Sequence, residues 1–272
     1  MFCNIFKRYK GTIKLYLKKY NFILGGCNMI DKHCHLFKEH YEDLDDLINT
    51  MKNENISAIC NGCESKTNEE VIMLSKKYEN IYAACGFHPE DIDLGYSKEE
   101  LINNIDNIVA IGEIGLDYHY RVDNKDEQKK LLEMQLSVAA KYNKPVIVHI
   151  RDAMEDAYNI ISKYKVKGVI HAFSGSYEMA IKFIKLGFKL GIGGVITFKN
   201  CKLKEVIEKI DISNILLETD SPYLTPEPNR GKINSPLNLK YIAKFLSDLY
   251  NIPYDDVIKI TSKNAKKVFN IR

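Results

Sequence analysis

Neither sign of charge dominates this chain. Its 39 Lys and Arg stand against 36 Asp and Glu, leaving a net charge of +3 over 272 residues. A near balance excludes the global signature of a nucleic-acid-coating protein, so any basic surface must be local. No Pro-, Gly- or Ser-rich linker divides the chain, and no internal repeat or low-complexity tract interrupts it. With 45% hydrophobic residues, the length suits one large α/β barrel or two smaller domains, and no linker argues for two. A disulfide framework is also absent. Seven cysteines, at 3, 27, 34, 60, 63, 85 and 201, are an odd number in a chain too large to need staples, which favours reduced thiols in a reducing compartment. Cys60 and Cys63 form a C-x-x-C without a second such pair, so a structural zinc site is not indicated; a redox pair and an inert strand-end pair remain the two readings.

Acidic residues are missing altogether from residues 1–28, where Lys7, Arg8, Lys10, Lys14, Lys18 and Lys19 are interleaved with apolar residues at helical spacing. This extension reads as a basic amphipathic helix, too short and too charged to span a bilayer, and no integral membrane segment is expected. A targeting segment, a surface helix for membrane or acidic groups, and a dispensable extension before Met29 all fit. Scarce arginine and serine count against a typical mitochondrial presequence. The default location is cytoplasmic, with an organelle or secretion as alternatives set by the extension.

From Met29 onward, β-rich runs alternate with helical stretches about eight times, with strands expected to begin at Met29, Ile56, Ile81, Val109, Pro145, Lys167, Phe188 and Asn214. The clearest helical stretch runs from Lys125 to Tyr142. Such alternation implies a parallel sheet, and eight units imply a closed (β/α)8 TIM barrel in one domain over residues 29–272, finished by C-terminal helices after the loop at 225–232. An open doubly wound sheet would want a glycine-rich phosphate turn after the first strand. His33-Cys34-His35-Leu36-Phe37 is nothing like one.

Five of seven histidines (His33, His35, His88, His149 and His171) fall at or near the C-terminal ends of those strands, which meet at one mouth in a barrel. His33 and His35 lie two apart on a strand, close enough to hold one ion. Glu113 ends the fourth strand and Asp220 the eighth; Glu218 shares the parity of Asp220 but sits below the rim. A cluster of His33, His35, Glu113, His149, His171 and Asp220 without a cation would be costly. Six ligands match two divalent ions bridged by Glu113, with Asp220, His33 and His35 on the first and His149 and His171 on the second. Mixed imidazole and carboxylate donors admit Mg, Mn, Zn or Fe.

These residues resemble the TatD family of metal-dependent deoxyribonucleases, within the amidohydrolase-like barrel hydrolases. The resemblance is carried by Ile30-Asp31-Lys32-His33-Cys34-His35-Leu36, Cys85-Gly86-Phe87-His88-Pro89, Ile111-Gly112-Glu113-Ile114-Gly115-Leu116-Asp117-Tyr118, and Pro145 to Ala153. It continues through His171-Ala172-Phe173-Ser174-Gly175-Ser176 and the run from Leu217 to Pro226. The resemblance implies hydrolysis of DNA phosphodiester bonds, often from the 3′ end, with the six residues above as metal ligands and Mg the expected ion. It also implies that His88 contacts phosphate or assists proton transfer. Two departures bear on substrate preference: Phe37 stands where the family commonly has an acid, and Ile233-Asn234-Ser235-Pro236 where Arg-Asn-Glu-Pro is commoner.

Asp220 is the expected general base toward a water acidified by two ions, with His88 or a metal-bound water protonating the leaving group. Arg151, two residues beyond His149, is the expected phosphate clamp, against a rival ion pair with Asp152 or Glu155. Ser174 and Ser176 open a helix whose amides and hydroxyls fit another phosphate, Arg230 and Lys232 are placed to track the strand, and Tyr118, Tyr120 and Tyr223 are candidates to stack on bases. DNA is thus the expected partner, and no obligate protein partner is evident. Two rivals remain: an ester or amide hydrolase of the same superfamily, including one acting on ester-linked D-aminoacyl-tRNA, and a nucleic-acid-binding protein without catalysis.

Overall fold

The computed structural model describes residues 28–271, so the expectations for 1–27 lie outside the described residues. Eight parallel strands form one sheet in chain order: β1 Met29–Cys34, β2 Ile56–Asn61, β3 Ile81–Cys85, β4 Ala110–Asp117, β5 Val146–Arg151, β6 Gly168–Ile170, β7 Lys189–Ile192 and β8 Ile215–Leu217. Each begins within one residue of its expected start. Just beyond β8 the sheet turns back on itself. The amide of Asp220 donates to the His33 carbonyl at 3.0 Å and the amide of His35 to the Ser221 carbonyl at 2.7 Å. The architecture is a (β/α)8 barrel.

The strands read as nearly continuous apolar runs because both faces are covered, as parallel strands require. Nine α-helices are described: α1 Leu44–Asn53, α2 Ser65–Lys77, α3 Lys98–Asn103, α4 Lys125–Tyr142, α5 Met154–Ile161, α6 Tyr177–Lys185, α7 Leu203–Ile207, α8 Leu239–Tyr250 and α9 Tyr254–Phe269. Their ends follow local chemistry. Asp43 accepts from the Asp46 amide at the start of α1, Glu64 and Thr67 form a reciprocal capping box on α2, and left-handed Asn143 and Asn251 terminate α4 and α8. No helix among the described residues is long and apolar enough to cross a membrane.

Two apolar clusters divide the core. The larger lies largely between strands and helices. The smaller gathers Ile30, Ile59, Ala84, Ala110, Ile147, Val169 and Leu216 from seven strands onto Ala265, Val268 and Phe269 of α9. Side chains from seven strands can meet only inside the barrel, so the end of α9 closes its floor.

Two irregularities aim the upper residues. Between β1 and β2 the pairing passes from Asp31↔Ala58 to Cys34↔Cys60, and between β4 and β5 from Ile111↔Val146 to Ile114↔Val148. In each, two residues on one strand oppose one on its neighbour, the mark of a bulge. The bulged pairs are Lys32–His33 and Gly112–Glu113, so a sequence-regular strand would have aimed His33 and Glu113 differently.

Candidate metal centre

Asp31 anchors the first ligand strand. Its Oδ1 accepts the amides of His33 at 3.1 Å and Thr219 at 3.0 Å, and its Oδ2 accepts the Thr219 hydroxyl at 2.5 Å, tying β1 to the end of β8. Burial pushes this carboxyl up to about 7, against those hydrogen bonds.

Above it, Glu113 divides the site with its two oxygens. Oε2 lies 3.2 Å from His33 Nε2 and 3.6 Å from His35 Nε2, while Asp220 Oδ1 lies 3.5 and 3.7 Å from the same nitrogens. Oε1 faces the other way, 3.1 Å from His149 Nδ1, 3.7 Å from His88 Nε2 and 3.8 Å from His171 Nε2. His171 sits between the halves. Its ring stacks on that of His33 at 3.6 Å, and its Nε2 is also 3.5 Å from Asp220 Oδ1. Donor atoms within 4.8 Å of one another are offered by His33 with His35 and Asp220, by His33 with Glu113 and His171, by His35 with Cys63 and Glu113, and by His88 with Glu113 and His149.

Other groups set how each imidazole presents itself. His149 Nε2 is 2.9 Å from Asp117 Oδ2, leaving Nδ1 toward Glu113. His171 is held the opposite way: Nδ1 is 3.1 Å from Glu218 Oε1, leaving Nε2 toward the site. His35 Nδ1 lies 3.1 Å from the Asn61 carbonyl, so the Nδ1–H tautomer bonds there and frees Nε2. Glu218, completely buried, also accepts the Ala172 amide at 2.7 Å and pairs with the equally buried Lys32. A Cβ at residue 191 would strike both members of that pair, which is why glycine stands there. His88 differs in kind. Its Nδ1 accepts the Glu90 amide at 3.3 Å, so the neutral ring carries its proton on Nε2 and offers the site a donor.

Electrostatics separate the imidazoles. Burial lowers His33 to about 4 and His88 to about 3. Burial also opposes protonation of His149, yet hydrogen bonds to Asp117 and Glu113 outweigh it and raise the ring to about 10. His35 is likewise raised despite burial, by Cys63, Asp220 and Glu113 around it. Glu113 stays well below the usual carboxylate range and Asp220 is lowered too, the surrounding imidazoles outweighing desolvation.

The donor set fits divalent ions. His33 Nε2 and His35 Nε2 approach to 3.1 Å, a separation close to the roughly 3.4 Å between ligands around one small ion with bonds near 2.1 Å. Imidazole nitrogens and carboxylate oxygens aimed into one buried volume have no better neutraliser than a cation. His33, His35, Asp220 and Glu113 Oε2 would hold one ion; Glu113 Oε1, His149 Nδ1 and His171 Nε2 are disposed for a second.

Around the mouth, Arg151 is paired with neither Asp152 nor Glu155; those side chains contact His119 at 3.0 Å and Lys182 at 3.6 Å. Its guanidinium instead lies 4.8 Å from the Tyr120 ring centre. Ser174 is exposed, whereas the Ser176 hydroxyl accepts the Met179 amide at 3.3 Å and so caps α6. Arg230 is exposed and lies 4.1 Å over Phe198. Tyr118 is buried and donates to Asp156 at 2.9 Å, while Tyr120 and Tyr223 are 66% and 56% exposed. Asp117, Asn61 and Lys32 were not singled out by sequence, Cys63 was read only as half of a C-x-x-C pair, and Glu218 was set below the rim. Asp117 alone carried a signal, sharing the parity of Glu113 on the same strand.

Comparison with known proteins follows the same lines. The family described as TatD related DNase matches residues 30–270. The chain is 39% identical over 255 residues to the uncharacterized metal-dependent hydrolase YabD of Bacillus subtilis, covering 89% of this chain and 99% of that one. It is 31% identical over 255 residues to the uncharacterized metal-dependent hydrolase YcfH of Escherichia coli K12, covering 89% and 96%. The crystal structure of YjjV, a TatD homologue from E. coli K12, superposes with a TM-score of 0.85 at 30% identity, over 90% of this chain and 99% of that one.

Proposed function

The chain belongs to the TatD related DNase family of metal-dependent hydrolases, and from that premise we propose that it is a deoxyribonuclease acting on DNA phosphodiester bonds, as a 3′ to 5′ exonuclease. The observation that carries this reading is Glu113, whose two oxygens face two separate sets of imidazoles. Two divalent ions, Mg in function with Mn or Zn as alternatives, would supply Lewis acidity for water and for the charge on phosphate.

The remaining roles fall to the chain. Asp220, held ionised by His171, His35 and His33 around it, is the base that takes the water proton. His88 presents a neutral imidazole with its proton on Nε2, a hydrogen-bond donor for a phosphate oxygen, and the leaving alkoxide takes its proton from solvent water. Arg151 is steadied by Tyr120, and its remaining donors are the clamp for a phosphate. Ser174 and Arg230 lie farther out, where the strand would pass.

The test is hydrolysis of a 3′-labelled single-stranded oligodeoxynucleotide by metal-stripped protein after adding Mg or Mn. We expect metal to restore cleavage and Asp220→Asn to reduce it by roughly 10²- to 10⁴-fold, the scale of a general base. A folded wild type that takes up two metal equivalents and leaves DNA intact would overturn the nuclease reading, and small esters and amides would be assayed next.

A further inference from the structure

One charge beneath the centre has the sign that a cation site does not want. Lys32 is the one lysine or arginine buried among the described residues, and it is wholly enclosed with its partner Glu218. The bare Cα of Gly191 on β7 makes the room that the pair occupies. Each member stands one step from a ligand. Lys32 immediately precedes His33 in the bulge of β1. Glu218 Oε1 lies 3.1 Å from His171 Nδ1 and accepts the Ala172 amide at 2.7 Å, which holds Ala172 in the left-handed region at φ 41° directly after the ligand. Above the pair, the rings of His33 and His171 stack at 3.6 Å. Lysine, glutamate and the two imidazoles thus close one circuit.

Stability does not explain the pair, since exchanging a buried ion pair for apolar side chains of like volume is often neutral or stabilising. Its place under the ligands gives it a different consequence. A carboxylate behind a ligating imidazole orients the ring and raises its basicity toward a metal. An ammonium bound to that carboxylate draws part of the charge away, and it also repels an incoming dication directly across a desolvated interior. The two effects share one sign.

Resting on the metal-centre reading above, we infer that Lys32 is a positioning residue that acts through Glu218 and His171 to hold down the affinity of the centre for divalent ions. The more weakly held ion is thereby left exchangeable with the free pool, and occupancy of the centre follows the concentration of metal around it.

The test titrates Mn(II) calorimetrically into the metal-stripped full chain. Lys32→Met removes the charge at nearly constant length. Lys32→Gln removes it while leaving an amide to donate to Glu218, which gives a second variant where the first does not fold. Either should tighten the weaker binding step by on the order of tenfold, whereas Glu218→Gln should weaken it by about 10- to 100-fold. Metal-free Lys32→Met should also melt below the wild type and regain more on saturation with Mn(II). Lys52→Met, which removes an exposed lysine paired with Glu79, should leave binding unchanged. The opposite directions are the signature, because a purely structural pair would loosen the site whichever member was replaced. Folded Lys32 variants that bind Mn(II) no more tightly than the wild type overturn the inference and leave the metal centre standing. A folded wild type that takes up no Mn(II) overturns both.

Discussion

Single residues decide which nitrogen each imidazole offers, and Asp117 is the sharpest case. Its carboxylate contacts His149 Nε2 at 2.9 Å and accepts the His119 amide at 2.8 Å, so the ring can turn only Nδ1 toward Glu113. Asp117→Asn keeps the shape and removes the charge. We expect it to weaken divalent-metal affinity by about 10- to 100-fold, the usual cost of losing a group that orients a ligand, read by calorimetric titration. The same substitution has a pH signature in the metal-free protein. His149 is raised from 6.5 to about 10, so its protonated ring stabilises the fold fully below pH 6.5, and that contribution is lost as pH rises through about 10. The melting temperature of the metal-free wild type should therefore carry a declining component between those limits. Asp117→Asn should shrink it, and should move the His149 titration downward in an NMR pH series. An unchanged His149 titration would mean that Asp117 does not set its charge.

Among elements, α9 bears on the site without touching it. Its last turn places Ala265, Val268 and Phe269 against one residue from each of seven strands, so the strands that present ligands above are gripped from below. Phe269 is 3% exposed, and Phe269→Ala should cost about 3–5 kcal/mol in a urea unfolding series, as expected of a buried aromatic truncated in a packed core. Zinc uptake by the folded fraction should persist, because the ligands hang from other elements. This scale also shows what the sequence could and could not reveal. Strand starts were legible because buried parallel strands are continuous apolar runs and the helices between them keep a 3.6 period. The bulges at Lys32–His33 and Gly112–Glu113 were not, because an inserted residue leaves composition unchanged while altering where side chains aim. Lys32 was invisible for a related reason. A lysine in a strand reads as solvent-facing, and only the three-dimensional meeting with Glu218 beside a bare Gly191 makes its burial tolerable. Counting histidines at strand ends picked out residues that the fold brings together as the inner ring of the candidate site; the groups that hold those rings lie on neighbouring strands, and pairing register is not written in a single strand.

For the molecule as a whole, a net charge of +3 means that attraction to a polyanion cannot come from a general positive field. It must come from few positions, and two cations at the mouth are held against aromatic faces: Arg151 over Tyr120 at 4.8 Å and Arg230 over Phe198 at 4.1 Å. Such stacking limits the directions a guanidinium can take while leaving its edge free for phosphate. Each phosphate contact released should reduce the slope of log affinity against log salt by about 0.7 for a single strand. Arg151→Ala and Arg230→Ala should each show a loss of that size in single-stranded DNA binding, measured with Asp220→Asn as the background so that substrate survives. Only Arg151→Ala should also depress turnover strongly, because it stands beside the imidazoles and not out on the eighth loop. Hydrolysis of a small neutral ester, if the chain performs it, should be nearly indifferent to either change, since there is no phosphate for the guanidinium to grip. A salt slope unmoved by Arg151→Ala would remove that residue from the DNA path and transfer the role of clamp to the amides around Ser174.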